Sequence, residues 1–170
     1  MLLRPLTRVI QIGGKPKLEL LAELKAHGVQ LNEAGEALFA HSGFSTSPMA
    51  SEVQIVEIAV GDLGFKEGAT TEQIVERALQ QDWGLCPLEL GPFWRLQYLN
   101  QLEGCVEPPE TKHRAPAGSV TVLSPAVSAD DQVPKGFYLR RINGVDWLRG
   151  YWALADHLWG LEDRVVLVKR

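Results

Sequence analysis

The chain of 170 residues is poor in the residue types that build metal and disulfide sites, with two cysteines and four histidines. Cys86 and Cys105 do not form a CxxC pair, and the histidines are scattered along the chain. Two free thiols are expected in a reducing compartment, although the sequence does not exclude a disulfide between them. No spacing indicates zinc ligands. We therefore predict no metal site and no cofactor.

The sequence also lacks an excess of positive charge and a long apolar run. The net charge of −4 and the pI near 5.6 argue against general affinity for nucleic acid or for an anionic membrane. No apolar run approaches the roughly 20 residues that span a bilayer. Arg4 and Arg8 interrupt the apolar residues near the start, so a secretory signal is not indicated. We expect a cytoplasmic protein that binds neither nucleic acid nor membrane.

What is present is the composition of an ordinary globular protein, with 45% hydrophobic and 22% charged residues. This length and composition predict a single domain over residues 1–170. Helical patterns occur in the first half and strand patterns dominate the second. The predicted fold is therefore α+β, with a mainly antiparallel sheet, N-terminal helices and a C-terminal β-hairpin.

Several segments carry helix signals. Pro16 is suited to open a helix in which Leu18, Leu21 and Leu24 recur at helical spacing. Asn32 is suited to cap the next helix, so residues 15–41 are predicted to form a helical hairpin. Thr70 and Gln73 match a capping box before a third helix that reaches about residue 81. One further helical turn is expected at 156–159.

Strand and loop signals account for much of the remaining chain. Strands are predicted at 7–12, 52–60, 93–99, 120–123 and 164–168, with loops at 42–51, 103–118 and 128–135. The aromatic segment FWRLQYL at 93–99 is the most strand-like of these by composition. The two later loops are expected to be flexible.

The strongest local signal is Asn143-Gly144, which lies between two apolar, aromatic runs. An Asn-Gly pair favours a two-residue type I′ turn because both positions need positive φ. This turn fixes the register and separates the side chains into two faces. The core face is predicted to carry Phe137, Leu139 and Leu148. The outer face is predicted to carry Tyr138, Arg140, Ile142, Val145, Trp147 and Arg149.

The outer face of the hairpin has two interpretations. Arginine stacked across from aromatic rings stabilises a sheet without any ligand. Tyr138, Arg140, Trp147 and Arg149 also suit an anionic or planar ligand, or a protein partner. Burial separates the two: a covered arginine favours the folding role, and an open guanidinium beside Trp147 favours binding. We expect Arg140 to serve folding and Arg149 to be the better ligand contact.

Catalytic signals are sparse. Glu89 is a carboxylate in the apolar run LCPLELGP and is expected to need a partner, for which Arg95 is a candidate. His157 follows Asp156, which could hold its tautomer. A hydrolase or transferase using an acid/base pair such as Glu89 and His157 is therefore the alternative to a non-catalytic module. Gly13-Gly14-Lys15 lacks the spacing of a phosphate-binding loop.

The stretches LCPLELGPFWRLQYLNQ and GFYLRRINGVDWLRGYW resemble sequences of bacterial proteins of unknown function. The resemblance covers the central and C-terminal parts of the chain. It implies a bacterial cytosolic origin, and it implies no fold, ligand or catalytic residue, since no activity is assigned to such proteins. The predicted function is a non-catalytic binding or protein-interaction module with a protein partner or a small anionic or planar ligand.

Overall fold

A computed structural model describes residues 4–104 and 115–170. Cys105 and most of the loop predicted at 103–118 lie outside the described residues. Within the described ranges the chain forms eight strands, four α-helices and one short 3₁₀ helix. The strands are β1 (Leu6–Ile12), β2 (Gln30–Leu31), β3 (Ser51–Ala59), β4 (Trp83–Gly84), β5 (Val120–Val122), β6 (Gly136–Ile142), β7 (Val145–Tyr151) and β8 (Arg164–Lys169). The helices are α1 (Lys17–Ala26), α2 (Glu33–Ala40), the 3₁₀ helix (Val60–Leu63), α3 (Thr71–Leu79) and α4 (Leu90–Gln97).

The strands form one sheet in the order β1-β3-β8-β5-β6-β7-β2, with β4 paired to β8. Its pairing is mixed, because β5 runs parallel to β8 and β2 runs parallel to β7. The α+β class is confirmed, but the prediction of a mainly antiparallel sheet is wrong. Both parallel pairs involve strands of two or three residues, which are too short to leave a clear alternation in the sequence.

Apolar side chains pack on both faces of the sheet. On β8, Val166 belongs to one buried cluster, whereas Val165 and Leu167 belong to another. Neighbouring residues of a strand point to opposite faces, so the two clusters lie on opposite sides of the sheet. The first core includes residues of α1, α2 and α4, and the second includes residues of α3 and Trp159.

The two N-terminal helices pack on different neighbours. The Asn32 cap is confirmed, since its side chain accepts a hydrogen bond from the Gly35 backbone at 2.8 Å. The helices are separated by β2, and α1 packs on α4 whereas α2 packs on β7. In α1 the buried residues are Leu20 and Leu24, whereas Leu18 is 76% exposed. Of the predicted stripe, Leu24 is buried and Leu21 packs partly buried against the first core, whereas Leu18 is wrong and Leu20 is buried instead.

Helix α3 begins as predicted. Thr70 and Gln73 form the capping box, in which each side chain bonds the backbone of the other residue. Ile74 and Ala78 are buried in the second core, whereas Leu79 is 43% exposed at the helix end. The capping box satisfies backbone donors that the first turn would otherwise leave unpaired.

The strand predicted at 93–99 is wrong, because residues Leu90–Gln97 form helix α4. Leu90, Phe93 and Trp94 are buried at helical spacing, and Pro92 lies in the first turn, where a missing backbone donor costs nothing. Together with α3, this helix also shows that the helices are not all N-terminal.

The hairpin prediction is confirmed in detail. Strands β6 and β7 pair antiparallel with Ile142 opposite Val145 and Tyr138 opposite Arg149. Asn143 and Gly144 have φ values of 52° and 73°, as a type I′ turn requires. The loop at 128–135 contains no helix and no strand.

The helical turn predicted at 156–159 is wrong. The His157 backbone donates to the Leu154 carbonyl at 3.0 Å, so the turn lies at 154–157, two residues earlier than predicted. Trp159 instead forms an isolated β-bridge with Ala69, and its indole is buried in the second core.

Candidate functional site

The outer face of the hairpin is the candidate site, and we call it the arginine face. It consists of Tyr138, Arg140, Ile142, Val145, Trp147 and Arg149. The opposite face carries Phe137, Leu139 and Leu148, all fully buried in the first core. This alternation follows from the register set at the turn, so the core side chains determine which side chains point outward.

Arg149 lies over two aromatic rings of this face. Its guanidinium carbon is 5.3 Å from the Trp147 ring centroid and 5.8 Å from that of Tyr138. Both distances are within the range of cation–π attraction. Tyr138 is directly opposite on β6, and Trp147 is two residues earlier on β7. The rings therefore hold the arginine side chain against the sheet.

The charge of Arg149 is not neutralised by the described part of the chain. Among residues 4–104 and 115–170, no carboxylate lies within salt-bridge distance of it. Its Nε atom is enclosed without a hydrogen-bond partner, and the residue as a whole is half-buried. A guanidinium in this state can offer planar donors to an anion without first breaking an ion pair.

Arg140 is in a different environment, although it lies opposite Trp147 in the same sheet. It is only 6% exposed and is engaged with other groups of the chain. Burial of a charged side chain is tolerated where it is partnered, so this arginine fits a structural role. Of the two arginines, Arg149 is the more accessible.

Gln30 extends the arginine face to the edge of the sheet. It is exposed and pairs in register with Trp147 through the parallel β2–β7 contact. Its amide can both donate and accept hydrogen bonds beside the indole. Sequence reasoning missed this residue, because a two-residue strand leaves no periodic signal and its parallel partner lies far along the chain.

The aromatic segment at 93–99 does not add to the arginine face. As helix α4 it packs on β1, β6, β7 and α1 within the first core. Trp94 is fully buried and stacks on Tyr98, with 5.0 Å between ring centroids and 5° between ring planes. These rings are interior groups on the other side of the sheet.

Two ion-pair clusters surround α4. The buried Glu57 carboxylate accepts from Arg8 at 2.6 Å and from Arg164 at 2.7 Å. The Arg95 side chain is fully enclosed, donates to Gln101 and lies 3.4 Å from Asp146. Desolvation lowers the pKa of the Arg95 guanidinium, and the Asp146 carboxylate opposes that shift. Each of these charges has a charge of opposite sign within 3.4 Å, which is typical of structural pairs.

Glu89 and His157 are not brought together. Glu89 is buried before α4, where it accepts hydrogen bonds from the Ser47 backbone at 2.9 Å and from the Ser47 hydroxyl. Arg95, its candidate partner, instead contacts Gln101 and Asp146. His157 packs edge-on against Trp159 of the second core, with 4.7 Å between ring centroids. The two residues therefore belong to opposite sides of the sheet.

Other chemistries find no support in the part of the chain that the structure describes. No group of three or more His, Cys, Asp or Glu side chains there could hold a metal ion. No helix in that part is long and apolar enough to cross a membrane. Burial raises the pKa of the Cys86 thiol, which makes it a poor nucleophile. Gly13 and Gly14 pack against residues 47–50, which leaves little room for a side chain at either position and accounts for glycine there without a ligand.

Comparisons with known proteins found no family model, no curated protein and no solved structure that matches this chain. The site is therefore interpreted from its own geometry.

Proposed function

We propose that this protein is a non-catalytic binding or interaction module that uses the arginine face to hold an anionic or planar group. The observation that carries the proposal is the state of Arg149: a half-buried guanidinium over Trp147 and Tyr138, with no carboxylate partner among the described residues. Trp, Tyr and Arg are the side chains that most often dominate binding energy at interfaces.

The shape of the surface favours binding over catalysis. The arginine face is the outer side of a hairpin rather than a deep pocket, and an enzyme needs several titratable groups that converge on one point. Here the rings offer flat surfaces and Arg149 offers charge, which together suit a carboxylate or phosphate attached to a planar group. Gln30 supplies a neutral donor and acceptor at the edge.

A bacterial cytosolic setting is part of the same proposal. It is supported by the scarcity of cysteine. The acidic net charge supports a partner other than nucleic acid.

The test is a thermal-shift screen of anionic planar metabolites, such as nucleotides and aromatic carboxylates, combined with a pull-down from a bacterial lysate. A compound present at about 100 times its Kd should stabilise the wild type by about 2.7 kcal/mol. Arg149→Lys should melt like the wild type without ligand and lose most of this stabilisation, because lysine lacks the planar two-pronged donor.

Arg77 supplies the matched control, because its guanidinium also lies over a ring, 5.0 Å from the Phe65 centroid, on another part of the surface. Arg77→Lys should keep every ligand. The proposal fails if Arg149→Ala melts like the wild type and retains every compound and partner that the wild type binds.

A further inference from the structure

The segment that joins β7 to β8, residues 152–163, exposes several large apolar side chains. Trp152 is 52% exposed, Leu154 50% and Leu158 61%, and Leu161 is also exposed. Single exposed apolar residues are normal on a protein surface. Four of them within twelve residues are a concentration of the kind that marks an interaction site.

The backbone of this segment is anchored. Trp159 is buried, and its indole nitrogen donates to the Thr71 hydroxyl at 2.9 Å. Its backbone exchanges hydrogen bonds with Ala69 at 2.9 and 3.1 Å. The turn closed between Leu154 and His157 brings the residues at its two ends within about 7 Å. The outward side chains are therefore presented by a fixed backbone.

The charged side chains within the segment itself are all acidic. Residues 152–163 contain Asp156, Glu162 and Asp163 and no lysine or arginine. Asp156 and Glu162 are exposed, whereas Asp163 accepts from the Gly160 backbone at 2.7 Å. The Trp152 indole donates to the Gln132 carbonyl at 3.3 Å. This contact places the indole beside a second exposed acidic pair.

That second pair is Asp130 and Asp131 in the loop at 128–135. Lys135 lies 4.0 Å from Asp131, so the loop contributes one cation to a surface with several carboxylates. Trp152 thus lies beside a loop with two exposed carboxylates and one lysine, and the rest of the segment carries the exposed Asp156 and Glu162.

We infer that the surface formed by Trp152, Leu154, Leu158 and Leu161, with its acidic border, docks a basic amphipathic segment of a partner protein. The apolar face of such a segment covers the tryptophan and leucines, and its lysines or arginines meet Asp156 and Glu162. A bilayer surface is a poorer fit, because anionic headgroups repel the carboxylates. Its four apolar residues are distinct from those of the arginine face, and docking there does not require a ligand at Arg149.

The experiment measures the affinity of a fluorescently labelled 18-residue peptide of lysine and leucine, patterned to be amphipathic as a helix. A peptide of the same composition in scrambled order tests the need for amphipathicity. A glutamate–leucine peptide with the same pattern tests the sign of charge. Anisotropy titrations at low and high salt give Kd for the full-length protein.

Two double variants remove one component each. Trp152→Ser with Leu158→Ser removes apolar contact, and Asp156→Lys with Glu162→Lys reverses the charge. Matched controls are Leu99→Ser with Leu102→Ser, two leucines that are 77% and 83% exposed elsewhere, and Glu36→Lys with Glu76→Lys on two helices. All eight side chains are exposed, so we expect every variant to fold with a Tm near that of the wild type.

The expected result is that the wild type binds the patterned basic peptide, and does so more weakly at high salt. Each of the two test double variants should weaken this binding by about tenfold or more, whereas the control double variants should leave it unchanged. Equal weakening by the controls would overturn the inference, as would absent binding or preference for the acidic peptide. Binding of phosphatidylcholine vesicles through Trp152 and Leu158 would point to a membrane surface instead. Self-association that the apolar double variant abolishes would identify a second copy as the occupant.

Discussion

The side-chain amide of Asn32 pairs with the backbone of Gly150 in both directions. Its oxygen accepts from the Gly150 N–H at 2.8 Å, and its nitrogen donates to the Gly150 carbonyl at 3.1 Å. The same oxygen caps α2 by accepting from the Gly35 backbone at 2.8 Å. Gly150 has no room for a side chain, since an added Cβ would lie 2.6 Å from the Ala34 carbonyl carbon. One residue thus joins a helix start to the strand that carries Arg149.

Asn32→Ala should therefore cost more than the loss of an ordinary helix cap. We expect a decrease of about 2–3 kcal/mol in the free energy of unfolding, because the change leaves the Gly150 donor and acceptor unpaired in addition to uncapping α2. Thr70→Ala is the control, since Thr70 caps α3 without a strand contact, and about 1 kcal/mol is expected. Urea unfolding measures both. Equal costs would contradict a bridging role for Asn32.

Gly13 and Gly144 give a second contrast. Both have positive φ, of 76° and 73°, which disfavours any residue with a Cβ. At Gly144 an added Cβ would meet nothing within 4 Å, whereas at Gly13 it would lie 2.2 Å from the Met49 carbonyl oxygen. Gly144→Ala should cost about 1–2 kcal/mol from the backbone alone. Gly13→Ala should cost clearly more, because residues 47–50 must also move.

Denaturant unfolding of the two glycine variants tests this difference. Equal destabilisation would mean that the segment at 47–50 shifts freely away from Gly13. A larger effect at Gly144 would mean that the turn, rather than the contact at Gly13, limits stability.

The parts of the fold that were predicted correctly from the sequence are those determined by a few neighbouring residues. Asn143-Gly144 specifies a turn with both φ values positive, and the turn then fixes seven residue pairs of the hairpin. The capping box at Thr70 works in the same way. By contrast, the segment at 93–99 is rich in aromatic residues that favour strands. Its burial as a helix depends on contacts with α1 and with strands β1, β6 and β7, which are distant in the sequence.

The same distinction between local and long-range causes applies to the candidate site. Which side chains share the outer face followed from strand alternation. The different environments of Arg140 and Arg149 depend on what covers each one, and the position of Gln30 depends on a parallel contact between residues more than 100 positions apart. The sequence pattern within one helix or strand does not predict its contacts with distant elements.

Alkaline pH should destabilise the protein through Cys86 and Tyr151. Burial raises the pKa of both groups, so the folded state keeps the neutral form. A raised folded-state pKa contributes stability that is fully present below the unfolded pKa, about 8.5 for cysteine and about 10 for tyrosine, and is lost as the pH rises above it. In a Cys105→Ser background, we expect the free energy of unfolding to be flat near pH 7–8. Above about pH 9 it should fall, with Cys86 contributing up to about 1.4 kcal/mol per pH unit.

Cys86→Ala and Tyr151→Phe separate the two contributions. Cys86→Ala should flatten the decline between about pH 9 and 10 even if it lowers stability at every pH, because the slope depends on the titrating thiol and not on packing. Tyr151→Phe should preserve that early decline and reduce the later one. Urea titrations from pH 7 to 11 give both slopes. An unchanged slope in Cys86→Ala would mean that the thiol ionises in the folded state, in conflict with its burial and with the hydrogen bond that its Sγ donates to the Val166 carbonyl at 3.3 Å.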